Sequence, residues 1–548
     1  MISRSLGHRA PLLWIALPWA AGLVGGKLSP APLPFSALLA VALLGTGVAL
    51  GAAMMRPRIA LGALVIGLFA GGLATYELRR DRVADYDELP PREATLTLRL
   101  GREFTGAAQA DRFSGLGKIV DAPPHLADLV GQTVQVSFRD FGNQATPRRG
   151  TTVIVTGVLE PLPRRPVGDG GFDDFLIDLG LNFSLDRGAL ERVVAEPGRR
   201  ERARARGRAW IYDQLGRGPG KTRPDVVAAL RGMLLGLRSE LSDTQVALFL
   251  RTGTMHLFAI SGLHIGAIAV GLHGLLQILR VPRRTAFGVG VTVLWAYVEI
   301  VGAPPSAVRA FLMVTCVQVA LVWPRAGNPV AGLAASAALV LVLDPMELFG
   351  AGFQMSYGIV TALLLYGLPL GEAWQDRWTL WRGLPKAAWQ AGHHWADAAW
   401  RKILSIGALG MAASLVSALS TPQFFGLFTP AALLINPVFI PLAVFAVFAG
   451  FLTLSCGGLG FGAGATLFAY AGALIVAVMQ GALRWVNTLP GIAWETAPRA
   501  AWWGGLAHAG LLALLVWGYA HRWQRSHGGW WPPVIWVVLM LVTGLKFA

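Results

Sequence analysis

The sequence predicts a polytopic α-helical membrane protein with a small β domain inserted near its N-terminus, and three observations support this fold class. Hydrophobic residues make up 54% of the 548 residues and charged residues only 14%, below the roughly 25% of soluble domains. Apolar runs of about 20 residues, long enough to cross a bilayer, recur along the chain. Between the third and fourth of these runs lies a polar segment with alternating hydrophobic residues.

The apolar runs predict about 11–13 membrane spans. The first run is followed by further apolar spans and has no clear small-residue cleavage site, so we expect it to be retained as a helix. The Trp-rich segment from Gln375 to Trp400 is amphipathic and predicts a helix lying in the membrane interface. The apolar runs lie near residues 11–27, 33–54, 59–76, 254–279, 285–303, 306–324, 328–343, 352–370, 403–420, 434–455, 463–483, 501–520 and 530–547.

Positive charge in the short loops predicts the orientation, because Lys and Arg near span ends favour the cytoplasmic side. Part of the net charge of +16 lies in these loops. With the N-terminus inside, three spans place the β domain outside the cytoplasm. The loop residues are Arg56, Arg58, Arg280, Arg283, Arg284, Arg325, Arg401, Lys402, Arg522 and Arg525.

The polar segment predicts a small β domain. Residues 94–100, 133–138 and 152–158 alternate with period two, and residues 117–120 and 182–185 are shorter candidate strands. Five short strands favour an OB-like closed barrel, although a β-sandwich fits the pattern nearly as well. The aromatic residues Phe104, Phe113 and Phe138 are candidates for stacking on nucleic-acid bases, or else core residues.

A run of six arginines follows the β domain and precedes Trp210 and Leu215. Such a helix can lie on anionic lipid headgroups or face a phosphate backbone near a pore mouth, and the sequence does not separate the two. The six are Arg199, Arg200, Arg202, Arg204, Arg206 and Arg208.

The first apolar run after the β domain contains polar side chains, which are costly within lipid. On a continuous helix, His256, Ile260 and His264 would share one face, with Ser261 within reach of His264. The small residues Ala259, Gly262 and Gly266 would let another backbone come close. Either the histidines bond to neighbouring helices, or they line a water-filled path.

Further polar residues mark the later spans. Glu299 and Arg309 flank the turn Gly302 to Ser306, and we expect them to form an ion pair, since an unpaired arginine at membrane depth is costly. Prolines with freed carbonyls are typical of broken helices around transport sites, and they also occur as plain kinks. The additional candidates for a polar lining are Ser306, Asp344, Gln354, Ser356, Asn436 and Pro437.

Several blocks resemble the signatures of ComEC-type competence proteins. They are residues 171–180, 253–266, 305–310, 343–345 with 349–356, and 436–441. The resemblance implies an inner-membrane channel that carries single-stranded DNA into the cell in natural transformation, with an OB-like extracytoplasmic domain. It also implies membrane lipids, an extracytoplasmic DNA receptor, a separate nuclease and a cytoplasmic motor or DNA-binding protein as partners.

The chain then divides into N-terminal helices (1–76), an OB-like domain (77–198), basic amphipathic or interfacial helices (199–252), a competence-type channel domain (253–498) and C-terminal helices (499–548). Many members of that family carry a metallo-β-lactamase-like nuclease domain, whose metals need a His-x-His-x-Asp-His cluster. The sequence contains no His-x-His, so we expect no metal site and no nuclease activity. Gly216 to Thr222 is one residue shorter than a P-loop and follows no predicted strand, so no nucleotide cofactor is expected either.

Two other functions fit the same composition: a transporter of another polymer or solute, and a non-transporting membrane scaffold that recruits partners through the β domain. Stacking aromatic residues on the β domain would favour nucleic acid over both.

The predicted orientation has a direct test. Alkaline phosphatase fused within residues 100–190 should be active, because that enzyme folds only outside the cytoplasm, whereas a cytoplasmic reporter at the same positions should be silent. The reverse pattern would contradict the orientation.

Overall fold

A computed structural model of the chain describes residues 12–29, 33–52, 56–80, 90–104, 112–139, 147, 149–163, 172–258, 260–322, 328–500 and 502–547. The first three helices are α1 (Leu13–Leu28), α2 (Phe35–Ala52) and α3 (Pro57–Arg80). Glycines let α1 and α3 touch through their backbones. A Cβ added to Gly22 would lie 2.0 Å from the Phe69 carbonyl oxygen, and one added to Gly72 would lie 2.1 Å from that of Trp19.

The polar segment folds into a five-stranded closed barrel, which confirms the OB-like prediction over the sandwich. The strand order is β1-β2-β3-β5-β4, with β3 and β5 parallel and the other neighbours antiparallel. Alternation in β4 points Val153, Val155 and Leu159 into the core. The strands are β1 (Arg92–Glu103), β2 (Arg112–Asp121), β3 (Thr133–Arg139), β4 (Thr152–Pro161) and β5 (Phe183–Ala195).

Two of the three stacking candidates belong to this core. Phe113 and Phe138 are 2% and 1% exposed, and their rings stack with centroids 5.1 Å apart. They are adjacent across the β2–β3 ladder, where inward-facing residues meet. Neither ring is therefore open to a base, and only Phe104 stays accessible.

A short helix between β4 and β5 ties the barrel to the membrane helices. This helix, α4 (Phe172–Asp178), pairs through Asp178 with Lys27 at the end of α1. Arg80, at the end of α3, donates to the carbonyl oxygens of Leu181 (2.5 Å) and Pro163 (2.6 Å). The connection between β4 and β5 thus rests on the ends of two membrane helices.

Two helices of different character follow the barrel. The basic helix α5 (Arg199–Gly216) is largely exposed over its first two turns, whereas α6 (Pro224–Leu235) buries almost every residue in the largest hydrophobic cluster. Residues 224–235 therefore differ from the expected interfacial helix, because apolar residues surround α6 on all sides. The next helix, α7 (Asp243–Arg251), starts at a capping box formed by Ser242 and Gln245.

Every predicted apolar run contains a helix. Among the described residues, seven helices are long and apolar enough to cross a membrane, and four shorter apolar helices accompany them. The later helices are α8 (Gly262–Ile278), α9 (Arg283–Ile300), α10 (Pro305–Val322), α11 (Pro329–Leu343), α12 (Ala351–Ala362), α13 (Leu368–Arg377), α14 (Ala391–Phe425), α15 (Ala432–Gly458), α16 (Gly462–Val486), α17 (Trp503–Ala520) and α18 (Trp531–Gly544).

Helices α12 and α13 are continuous through a π-helical turn, Leu363–Gly367. Beyond α13, the expected interfacial helix from Gln375 to Trp400 is wrong. The helix ends at Arg377, and α14 begins only at Ala391. Pro385 disfavours helical geometry at the preceding residue and has no N–H to donate, so the segment forms turns instead.

A small sheet that the sequence pattern did not predict joins three distant segments. Its strands are β6 (Leu427–Phe428), β7 (Trp494–Pro498) and β8 (Leu545–Phe547), in that order. The strands follow α14, α16 and α18, so the sheet holds the ends of these helices together.

Candidate functional site

The chain breaks its helical course just before α8. A 3-10 turn, Met255–Phe258, precedes it, and Ser261 is extended, with φ −127° and ψ 172°. His256 lies in the turn and His264 in the first helical turn of α8. The expected common helical face of His256 and His264 is therefore wrong, because the helix begins only at Gly262.

His264 closes the start of α8. The backbone N–H of Ser261 donates to His264 Nδ1 (3.1 Å), and Ser261 Oγ lies 2.7 Å from the same nitrogen. Because Nδ1 accepts, the neutral imidazole carries its proton on Nε2. The His264 side chain is fully buried, and its Nε2 has no hydrogen-bond partner of normal geometry among the described residues.

His256 and Ser306 complete the polar surroundings of the break. The His256 side chain is exposed, and its Nδ1 lies 3.1 Å from the Gly253 carbonyl oxygen. Ser306, in the first turn of α10, donates its hydroxyl to the Ile260 carbonyl (2.9 Å). The broken backbone is thus satisfied by protein groups, as a membrane interior requires.

The small residues in this segment contribute less than expected. A Cβ added to Gly262 would make only ordinary contact with Ala310 at 3.7 Å, and one added to Gly266 would meet nothing within 4 Å. The expected close backbone approach at Gly266 is therefore wrong. Ala259 lies outside the described residues.

Arg309 pairs with Glu347 rather than with Glu299, so the predicted Glu299–Arg309 pair is wrong. Arg309 Nη1 lies 2.6 Å from Glu347 Oε2, and the arginine is 5% exposed. Glu347 belongs to a 3-10 turn, Pro345–Phe349, which Asp344 caps by accepting from the Met346 N–H (3.2 Å). Sequence reasoning missed Glu347; its signal was an acidic residue next to the Asp344-Pro345 helix end.

Space for the Arg309 guanidinium comes from a glycine. A Cβ added to Gly352, at the start of α12, would lie 2.4 Å from Arg309 Nη2. The ion pair therefore links α10, the 3-10 turn and α12.

Glu299 instead joins α9 to the basic helix α5. Its carboxylate pairs with Arg204 and lies 3.2 Å from Arg200 Nη2. The six arginines of α5 therefore divide into two groups. Arg199, Arg200, Arg202 and Arg206 are exposed, whereas Arg204 and Arg208 are half-buried.

The other candidate residues remain dispersed. Gln354 Nε2 donates to the Leu348 carbonyl (3.1 Å), and Ser356 is half-buried. The Asn436 side-chain oxygen is buried without a hydrogen-bond partner of normal geometry, and Pro437 packs on Gly410. No hydrogen bond seen among the described residues joins Gln354 or Asn436 to His256 or His264.

An aromatic cluster at one end of the barrel was not among the sequence candidates. Phe104 lies about 6 Å, centroid to centroid, from both Phe172 and Phe175 (6.1 and 5.9 Å). Phe172 and Phe175 are 53% and 43% exposed. Their signal in the sequence was the Phe-Asp-Asp-Phe spacing, which places both rings on one side of a helix.

The Arg309–Glu347 pair should stabilise the fold. Arg309→Gln should lower the free energy of unfolding by about 2–4 kcal/mol, because it leaves the Glu347 carboxylate with little compensation; this is less than for a fully buried pair, since Glu347 keeps some exposure. Arg200→Gln, at an exposed partner of Glu299, should cost less than about 1 kcal/mol. Unfolding in detergent measures both, and equal losses would contradict the role assigned to the buried pair.

Cysteine accessibility should separate the two histidines. After Cys316 and Cys456 are replaced by alanine, His256→Cys should react with a water-soluble thiol reagent, because His256 is exposed. His264→Cys should stay unlabelled, because His264 is fully buried. Equal labelling at both positions would contradict the geometry of the break.

Comparison with known proteins identifies the family. The family model described as Competence protein matches residues 233–522, from α6 to the turn after α17. No solved structure matches the chain.

Three curated relatives match shorter parts of the chain. "ComE operon protein 3" of Bacillus subtilis is 30% identical over 142 residues, which are 26% of this chain and 18% of that protein. "Competence protein ComA" of Neisseria gonorrhoeae is 27% identical over 245 residues, 42% of this chain and 33% of that protein. "Recombination protein 2" of Haemophilus influenzae is 31% identical over 153 residues, 25% of this chain and 19% of that protein.

The matched segments thus cover a third or less of each relative. The family match itself extends over more than half of this chain and contains the helix break at Ser261, Glu299 and the Arg309–Glu347 pair. The chain is therefore a multi-pass membrane protein that belongs to the Competence protein family.

Proposed function

We propose that the chain forms the inner-membrane passage through which single-stranded DNA enters the cell during natural transformation, and that it has no nuclease activity of its own. Competence is the capacity of bacteria to take up DNA, and the names of the family and of one relative use that word. The observation that carries the proposal is the continuous connection from an OB-like barrel, through a basic helix, to the family-matched membrane helices.

The exposed arginines of α5 supply the electrostatic part of this function. Arg199, Arg202 and Arg206 are spaced three and four residues apart, so they lie on one face of the helix, and all three are exposed. Neutralising backbone phosphates with such residues releases counterions, which gives affinity without sequence preference.

The aromatic cluster Phe104, Phe172 and Phe175 supplies a surface for bases. Single-stranded nucleic acid gains about 1–3 kcal/mol for each base stacked on an aromatic ring. In OB folds the strand 2–3 face and the loops after β1 and β4 bind oligonucleotides. Phe104 follows β1, and Phe172 and Phe175 lie between β4 and β5, so the cluster occupies that position.

Within the membrane domain, we place the path beside the two breaks in helical structure, at residues 255–261 and 345–349. His256, Ser261 and Ser306 border the first break, and Gln354 lies next to the second. Asn436, with its buried amide oxygen, and Pro437 mark a third polar position along α15. With the barrel outside the cytoplasm, an extracytoplasmic receptor would deliver DNA, a separate nuclease would degrade one strand, and a cytoplasmic motor or DNA-binding protein would receive the other.

The exposed arginine face should control DNA binding and uptake. Replacing Arg199, Arg202 and Arg206 with glutamine should reduce the slope of log binding constant against log salt by about 2, since each phosphate contact contributes about 0.7 on single strands. Transformation should fall, while the protein still inserts and its unfolding is unchanged. The matched control is Arg187→Gln with Arg192→Gln and Arg223→Gln, which removes the same charge from exposed positions off this face.

A clean deletion decides between this function and its alternatives. Loss of transformation, with DNA still bound at the cell surface, is the expected result. Normal transformation in the deletion strain, without a second homologous gene, would overturn the proposal and favour a transporter of another polymer or solute or a membrane scaffold.

A further inference from the structure

The barrel, α5 and the turn between α9 and α10 meet at one junction. Arg149, just before β4, donates through Nη1 to the Gly302 carbonyl in that turn. A Cβ added to Gly302 would lie 3.8 Å from Arg149 Nη1 and 4.0 Å from Arg208 Nη1. Two guanidinium groups from different parts of the chain therefore border the same turn, beside the contact of Arg204 with Glu299.

Positive charge exceeds negative charge at this junction. The four guanidinium groups of Arg149, Arg200, Arg204 and Arg208 converge on it, and among the described residues only Glu299 forms an ion pair with any of them. The neighbouring carboxylates are engaged elsewhere or exposed. Glu201 pairs with Arg99 (3.4 Å) and Glu240 with Arg231 (3.4 Å), while Glu103 is exposed.

Two of these guanidinium groups have lost hydration without full compensation. Burial lowers the pKa of Arg208, despite Glu103 and Glu240 nearby, and burial together with Arg200 and Arg149 lowers the pKa of Arg204. Arg204 Nε is buried without a hydrogen-bond partner of normal geometry. A lowered pKa means that the charged form is disfavoured, and a bound anion would restore it.

We propose that this junction is a phosphate-binding site, formed by Arg149, Arg204 and Arg208, that holds one backbone phosphodiester of a DNA strand passing from the barrel to the membrane helices. The inference rests on the proposed function and adds a defined contact to it. Glu299 occupies the anion position in the absence of DNA, and a phosphodiester replaces it on the Arg204 guanidinium. The planar fork of arginine matches the paired oxygens of a phosphate.

A DNA phosphate fits the site better than a lipid headgroup. Arg149 comes from the barrel, so the site faces the barrel rather than the surface that the membrane helices turn towards lipid. A strand that leaves the barrel meets Arg149 and then α5, whose arginines continue along the same helix.

The test uses the full chain in nanodiscs made only of phosphatidylcholine, so that no anionic lipid competes. The probe is a fluorescent 15-residue oligothymidylate, compared with the same oligomer carrying uncharged methylphosphonate linkages. Arg149→Gln combined with Arg208→Gln should weaken binding of the charged probe about tenfold and reduce the salt slope by about 1, without affecting the uncharged probe. Arg187→Gln with Arg192→Gln is the control with the same loss of charge.

Glu299→Gln provides a test with the opposite sign. Removing the competing carboxylate should strengthen binding of the charged probe several-fold, whereas a purely structural role for Glu299 would weaken it or leave it unchanged. Arg208→Lys, which keeps the charge but loses the fork, should give an intermediate affinity.

The outcomes separate this inference from the proposed function. Unchanged affinity in the Arg149/Arg208 variant, with weakened binding in the Arg199/Arg202/Arg206 variant, would overturn the junction site alone. Equal weakening with both probes, or weaker binding by Glu299→Gln, would also overturn it. If inorganic phosphate or added phosphatidylglycerol binds while the oligomer does not displace it, the site belongs to free phosphate or lipid. A wild-type chain that binds neither oligomer would refute the proposed function itself.

Discussion

The structure depends on one constraint: a polar group placed among apolar helices must find its partner within the protein. The helix break before α8 meets it with side chains close at hand, since Ser261 and His264 satisfy each other and Ser306 bonds to the Ile260 carbonyl. The second break meets it in the same way, through Asp344 at the Met346 N–H. Breaks of this kind keep their shape because each exposed backbone group has a partner.

The same constraint explains how charges join separate elements. Arg309 finds Glu347 across a helix break, and Gly352 leaves room for its guanidinium. Glu299 finds Arg204 on a helix that belongs to neither membrane segment beside it. Each carboxylate therefore connects parts of the chain that apolar packing alone would leave free to slide. Lys27 and Arg80 do the same between the first helices and the barrel.

How far the sequence predicted this arrangement depended on the range of the signal. Hydrophobic runs and period-two alternation are local, so the helices and the five strands were found near their observed positions. Ion pairing is not local: Glu299 and Arg309 are ten residues apart in sequence, yet each pairs with an element that only the tertiary fold brings close. The helical face of His256 and His264 failed for a related reason, because a cap at Ser261 overrode a continuous apolar pattern. Likewise, the aromatic content of the barrel gave no sign that Phe113 and Phe138 would be internal and Phe172 and Phe175 exposed.

The π-helical turn between α12 and α13 has a consequence for sequence length. Such a turn holds one residue more than a regular α-helix of the same rise. It sets the rotation of everything after it, including Gly367 and Gly371. A Cβ on Gly367 would lie 2.9 Å from Ala412 of α14, and one on Gly371 would lie 3.6 Å from Ala408. A single-residue deletion in this turn would remove the bulge, rotate α13 by about 100° and turn its glycine face away from α14. Length at this position is therefore under tighter restraint than residue identity.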